Sequence, residues 1–325
     1  MYSAEDIKEL VEKSLKGIQY PDGPSDLYAP IAYSLSIGGK RIRPILALLS
    51  CNLFTDRITD KCILPAAGLE VFHCFTLVHD DIMDKADMRR NQPSIHKKWN
   101  INTAILSGDA MCIESYKLLY YAEISKIPEI LQSFNKAAFN VCEGQQYDMN
   151  YEHKTTVTEE DYLKMIELKT AALISVSTKI GAIMGGASSS DVDRLARLGL
   201  NLGMAFQIQD DIMDSYSDSK KIGKDTGLDI ANNKKTYLLT SAIRLAKGDR
   251  KKRLIALLNE KDIPVEKKYA EMKEIYDSLK VRDLADAKVK EYFSAVENEL
   301  KAIDVKQDRK YYFKEFIDNL FGRQR

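Results

Sequence analysis

VFHCFTLVHDDIMDKADMRR, from Val71 to Arg90, opens as an apolar helix and closes in acid and then base. At 100° per residue, Asp80 and Asp84 fall one turn apart on the same helical face, while Asp81 points to a neighbouring one. Two carboxylates stacked in this way repel each other unless a cation lies between them. Oxygen-only ligands suit Mg²⁺, which keeps several waters and takes one or two carboxylates together with substrate phosphates. Alone, the string reads equally well as a solvated helix end. The same five residues, Asp-Asp-Ile-Met-Asp, return at 210 to 214, again closing an apolar helical run. Two identical copies in the same helical context point to a pair of metal motifs, Asp80, Asp81 and Asp84 in one, Asp210, Asp211 and Asp214 in the other.

Outward from this stretch, nearly every long segment has helical spacing, and no alternating strand pattern stands out, so the expected fold is all-α. Helices are expected over about 4–17, 27–35 and 45–54, the last with Pro44 in its first turn. Pro65 should open the helix that carries the first motif. A polar loop is expected from 85 to 99, then helices over about 103–124, 129–147, 159–184, 192–215 and 234–245, followed by three or four more. Residues 216–233, rich in Gly, Lys and Asp, read as a mobile loop. No Pro/Ser-rich linker or composition shift marks a boundary. The expectation is a single domain over 1–325 with a peripheral helical hairpin at about 250–280.

Composition narrows the partners. The chain has 325 residues, 45% of them hydrophobic, enough for a large core. Its 48 basic and 48 acidic side chains leave no net field that would favour nucleic acid or an anionic membrane as main partner. Five cysteines, an odd number without metal-ligand spacing, read as reduced core residues of a cytoplasmic protein. The N-terminal stretch is an acidic amphipathic helix rather than a signal peptide. No continuous apolar run approaches the roughly 20 residues of a membrane span.

Basic residues cluster at loops and helix ends. In Gly38-Gly39-Lys40-Arg41-Ile42-Arg43-Pro44, glycines permit a tight turn, and Lys40 with Arg43 could clamp a diphosphate. An ordinary helix N-terminus with solvated charges is the alternative. Arg89, Arg90, Lys169-Thr170, Lys224 and Lys234 follow, each as readily a surface residue when taken singly. His73, seven residues before Asp80, shares its face within about 20° and is either a phosphate donor or a satisfied core histidine. Gln207 sits three before Asp210. Together, two Mg²⁺-type motifs, several phosphate-binding bases and an apolar helical interior suit a diphosphate with a hydrocarbon tail. Metal and cations would stabilise the leaving group, and an apolar pocket would keep water from the allylic cation.

The motifs GGKRIRP, HDDIMD with RRNQPSIH, GDAM, ELKTAAL, FQIQDDIMD, GKDTGLD and NKKTY, in this order from about 35 to 237, resemble those of the trans-isoprenyl diphosphate synthases, or polyprenyl synthetases, of short-chain type. The resemblance implies a large antiparallel helical bundle around a deep central cavity, usually a homodimer. It implies condensation of isopentenyl diphosphate with an allylic diphosphate, with about three Mg²⁺ ions per site. By position, Asp80 and Asp84 would be the principal ligands, with Asp81 close by, and Asp210 would bind a further metal, supported by Asp211 and Asp214. Arg89, Lys169, Thr170, Gln207, Lys224 and Lys234 would contact the allylic diphosphate; Lys40, Arg43, His73 and Arg90 would hold isopentenyl diphosphate. Asn91 departs from the family, where a glycine often follows the two arginines. Chain length would be set by Phe75 and Thr76, five and four residues before Asp80. One aromatic there resembles the geranylgeranyl type and two the farnesyl type. Phe72, one turn below Thr76, is an alternative floor, and both rings are also plausible core residues.

Three other readings are weighed. A class I terpene cyclase would carry an Asn/Ser/Glu-type second motif and would not need the GGKRIRP clamp. A metal-dependent phosphohydrolase would want more histidines than His73, His79, His96 and His153. A non-catalytic partner subunit should have eroded aspartates, and these are intact.

Overall fold

The computed structural model describes residues 1–154, 156–216, 227–260 and 263–322. The first half comprises α1 (Ala4–Lys16), α2 (Ser25–Ser36), α3 (Ile42–Asn52), α4 (Asp60–Met83), α5 (Ile95–Lys98), α6 (Ile101–Leu119) and α7 (Ile127–Glu152). Then come α8 (Glu159–Ile166), a π turn (Glu167–Ala171), α9 (Ala172–Gly185), α10 (Ser189–Tyr216), α11 (Leu228–Ala231), α12 (Tyr237–Leu245), α13 (Gly248–Asn259), α14 (Val265–Leu279), α15 (Val281–Ala302) and α16 (Tyr311–Gly322). The all-α expectation holds. Capping residues mark the helix starts: Ser3 with Asp6 for α1 and Thr158 with Asp161 for α8 both form capping boxes.

Several boundaries differ from those read in the sequence. Helix α4 begins at Asp60, and Pro65 lies inside it. In the second turn its missing N–H removes one intrahelical bond, and packing carries the helix through it. The expected loop after α4 contains α5 and a minimal antiparallel ribbon, β1 (Met88–Arg89) with β2 (Gln92–Pro93). Most of the loop expected over 216–233, Lys224 included, lies outside the described residues, and its described end forms α11. By length and composition α4 could also cross a membrane, because averaging over its window absorbs the polar interruptions. However, 61% of that window is buried within the protein, as a core helix would be.

The chain divides into two compact units, and α7, α9 and α10 contribute residues to both. The first comprises Met1–Phe134, Val176–Ala196 and Ile303–Arg325. Its centre is α4, which packs most extensively against α6 and then α3. A glycine on each helix permits the α4–α6 approach: a Cβ at Gly68 would lie 2.9 Å from the Ser115 carbonyl, and one at Gly108 would overlap the His79 ring. The second unit comprises Asn135–Ser175 and Arg197–Ala302, with α14 packed on α11, α12 and α13.

Candidate active site

In the first unit, α4 ends at Asp84 in a Schellman motif, with Lys85 left-handed at φ 54° where glycine is usual. The Ala86 and Lys85 N–H groups return to the carbonyls of Asp81 (2.9 Å) and Ile82 (3.3 Å). This sharp stop leaves Asp84 exposed and Asp80 half-buried, while Asp81 turns inward and is 4% exposed. Arg89 follows on β1 and donates to Asp81 Oδ1 from Nε (3.0 Å) and Nη2 (2.5 Å), with Nη2 also 3.7 Å from Asp80 Oδ2. Burial pushes the Asp81 carboxyl up, and the two Arg89 bonds restrain that rise.

The ribbon turns through Arg90 and Asn91, both at positive φ (51° and 60°), as a two-residue type I′ turn requires. Asn91 accordingly does the conformational work of a glycine. Arg90 Nη1 donates to the Gly38 carbonyl, and its guanidinium fills the space a Cβ on Gly39 would need. Arg43 lies in the first turn of α3 and is pushed down to about 10 by burial, although the field of Glu70 opposes this. Burial, and then the positive fields of Arg43, Arg90, Arg89 and Arg41, hold His73 well below its usual value. Both effects favour the neutral imidazole. Lys40 is exposed in the same turn.

The aromatic positions form a chain of edge-to-face contacts. Phe72, 2% exposed, meets Phe134 at 4.9 Å and Phe75 at 5.3 Å between centroids, and Phe75 meets His79 at 4.8 Å. Thr76 spends its hydroxyl locally, donating to the His73 carbonyl (2.8 Å).

In the second unit, Lys169 and Thr170 lie within the π turn, an irregularity that inserts an extra residue and re-aims side chains. Two glycines admit it. A Cβ on Gly144 would overlap the Lys169 backbone N and lie 2.6 Å from its Cα, and one on Gly203 would lie 2.5 Å from the Ala171 Cα. Lys169 Nζ donates to Asp148 (2.6 Å), and Thr170 Oγ1 donates to Gln207 Oε1 (2.9 Å). Gln207 Nε2 in turn donates to Asp211 Oδ1 (3.0 Å).

The second motif repeats the pattern of the first. Asp210 is exposed and Asp214 half-buried, whereas Asp211 is 3% exposed and accepts on Oδ2 from the Tyr162 hydroxyl (2.5 Å). Burial pushes Asp211 up to about 6 despite the Tyr162 and Gln207 bonds. Asp214 accepts from the Asp229 N–H (3.0 Å). Burial raises Asp229 to about 7 against the attraction of Lys234, whose Nζ is 3.9 Å away.

Among the described residues, no three acidic, histidine or cysteine side chains converge into a closed cage. The donors present fit Mg²⁺, which takes one or two carboxylates and completes its shell with phosphate oxygens and water. The polyprenyl synthetase family matches residues 24–279. The chain belongs to that family. The short chain isoprenyl diphosphate synthase of Methanothermobacter thermautotrophicus is 36% identical over 282 residues, 86% of each chain. The geranylgeranyl diphosphate synthase of Sulfolobus acidocaldarius is 39% identical over 239 residues, 72% of each. A crystal structure of geranylgeranyl pyrophosphate synthase superposes with a TM-score of 0.93 at 33% identity, covering 100% of both chains.

The polyprenyl synthetase thus brings Arg89 to Asp81, Arg90 to Gly38, Thr170 to Gln207, Gln207 to Asp211, and Lys234 towards Asp229. Three residues in this network escaped the sequence reading. Asp148 holds Lys169 and Tyr162 holds Asp211 through their side chains, and the Asp229 backbone N–H supports Asp214. Tyr162 precedes Lys169 by seven residues and Asp148 follows Gly144 by four, spacings too common in helices to stand out.

Proposed function

We propose that this prenyltransferase condenses isopentenyl diphosphate with an allylic diphosphate and makes chiefly geranylgeranyl diphosphate. The allylic carbon–oxygen bond ionises, the double bond of isopentenyl diphosphate attacks the cation, and a proton leaves to the departing diphosphate. The observation that carries this reading is the division of labour within each aspartate motif. Asp81 and Asp211 are buried and hydrogen-bonded by the protein, which fixes the backbone that presents Asp80 and Asp84, and Asp210 and Asp214. About three Mg²⁺ ions, held by those presented carboxylates, would supply positive charge to the diphosphate leaving group.

Lys169, Thr170, Gln207, Lys224 and Lys234 are assigned to the allylic diphosphate together with Arg89, which also keeps Asp81 in place. Lys40, Arg43, His73 and Arg90 are assigned to isopentenyl diphosphate. A neutral His73 donates one N–H without adding charge, which the arginines already supply. Phe75 and Thr76 end the tail pocket, with Phe72 beneath them. Asp80→Ala should abolish Mg²⁺-dependent turnover while leaving the helical circular dichroism unchanged; retained turnover would remove the metal role.

The chain is proposed to act as a homodimer. Leu106, Ile113 and the C-cap residue Tyr120, seven residues apart in turn, line one side of α6 and its end and are 60%, 71% and 65% exposed. An apolar stripe of this kind is costly to leave in water. Light scattering after size exclusion tests it, with twice the monomer mass expected and a monomer contradicting it. A cytoplasmic location fits five cysteines that are all free thiols. A single cooperative domain fits three helices shared by both compact units, and a single unfolding transition is its test.

A further inference from the structure

The turn before α3 is fastened from two sides. Gly38 and Gly39 have φ of 82° and 143°, and Arg41, the residue that caps α3, is left-handed at 49°. A non-glycine residue stays in that region only where its surroundings over-determine it. Arg41 is 2% exposed. It donates from Nε to Glu12 Oε1 of α1 (2.8 Å), from Nη1 to Glu70 Oε1 of α4 (3.0 Å) and from Nη2 to the Leu35 carbonyl of α2 (2.6 Å). One side chain therefore ties three helices to the turn, and Arg90 holds the Gly38 carbonyl from outside.

Glu70, also 2% exposed, has a second function in this arrangement. Its Oε2 and the Arg43 Nε are both buried without a hydrogen-bond partner among the described residues. Glu70 thus gives Arg41 one oxygen, leaves the other without a bond, and its charge also acts on Arg43. With Arg41, Glu12 and Glu70 carry one negative charge in excess, which Arg43 balances; Arg90, bonded to the neutral Gly38 carbonyl, adds positive charge for an anion. His73 lies three residues along α4 from Glu70, on a neighbouring part of the same face.

We propose that Glu70 and Arg41 are positioning residues for the second diphosphate: their bond, closed by Glu12, sets the turn from which Lys40 and Arg43 reach isopentenyl diphosphate. The inference deepens the proposed function and rests on its assignment of Lys40 and Arg43. It separates from a purely structural role because only one of the two substrates should feel it.

The test is steady-state kinetics of the full-length protein with Mg²⁺, each substrate varied in turn. Glu70→Gln keeps the shape but removes the charge. It should raise KM for isopentenyl diphosphate about tenfold, in the range that a misplaced binding group costs, and leave kcat and KM for the allylic diphosphate within about twofold. An unchanged KM for isopentenyl diphosphate, or an equal rise for both substrates, overturns the inference. Glu12→Gln, at the rim, should move the same KM about threefold and serves if Glu70→Gln does not fold; no change there overturns it equally. Arg43→Ala is measured alongside. If it leaves that KM unaltered, the clamp itself fails and the positioning role with it; if it raises KM while Glu70→Gln does not, only the positioning role falls.

Discussion

Removing the Phe75 ring tests how the chain limits its product. Phe75 lies five residues before Asp80, about 7.5 Å along the helix axis, and Phe72 lies eight before, about 12 Å. The difference of about 4.5 Å is close to one helical turn and to the roughly 5 Å that each isoprene unit adds. Phe75→Ala should therefore lower the floor by one unit only and shift the main product from twenty carbons to twenty-five, because Phe72 then stops the tail. Phe72 is fixed there by its packing on Phe134 at 4.9 Å. Phe75 is half-buried, so its loss should cost less than the about 3–5 kcal/mol typical of a fully buried phenylalanine. Phe72→Ala should incur that larger cost, visible as a lower melting temperature. The assay is extraction and mass spectrometry of the products made from one allylic primer. An unchanged product distribution for Phe75→Ala would refute the floor, and a jump far beyond twenty-five carbons would refute Phe72 as the second stop.

Two further perturbations probe the second unit. Gly144→Ala would drive a methyl into the backbone of Lys169 and Leu168, so the π turn must shift; we expect about 1–3 kcal/mol of destabilisation and a rise in KM for the allylic diphosphate, and normal values for both would show that the turn tolerates displacement. Asp229→Asn bears on pH. Burial raises Asp229 from 3.8 to about 7 in the fold, so its contribution to stability is complete below about pH 4 and is lost as pH rises through about 7. The variant, measured without Mg²⁺, should therefore gain melting temperature at pH 8 relative to wild type and lose that advantage by pH 4. An advantage independent of pH would contradict the origin of the shift.

How much of this could be read from the residues differs from element to element. The 3.6-residue spacing of apolar side chains revealed most long helices, and the repeated Asp-Asp-Ile-Met-Asp exposed both motifs without any knowledge of the fold. The π turn at Glu167–Ala171 was hidden because one extra residue per turn scarcely alters an apolar stretch such as LKTAALISV. The ribbon turn was hidden because Arg90-Asn91 lacks the glycine that usually announces positive φ. The unlike burial of adjacent aspartates was equally invisible: Asp80 stays half-buried, while Asp81 faces inward and meets Arg89, eight residues beyond it. Asp211 likewise meets Tyr162, 49 residues earlier, a pairing that only tertiary structure makes. Pro65 misled because proline favours the first turn of a helix, whereas here it sits in the second, where packing of α4 carries the helix past the lost bond.

The most direct test of the central claim is to incubate the purified protein with Mg²⁺, isopentenyl diphosphate and, separately, the five-, ten- and fifteen-carbon allylic diphosphates, and to size the products by mass spectrometry. The account predicts condensation, with a twenty-carbon diphosphate dominant. A folded protein that condenses none of the three primers would contradict it and favour the non-catalytic partner subunit.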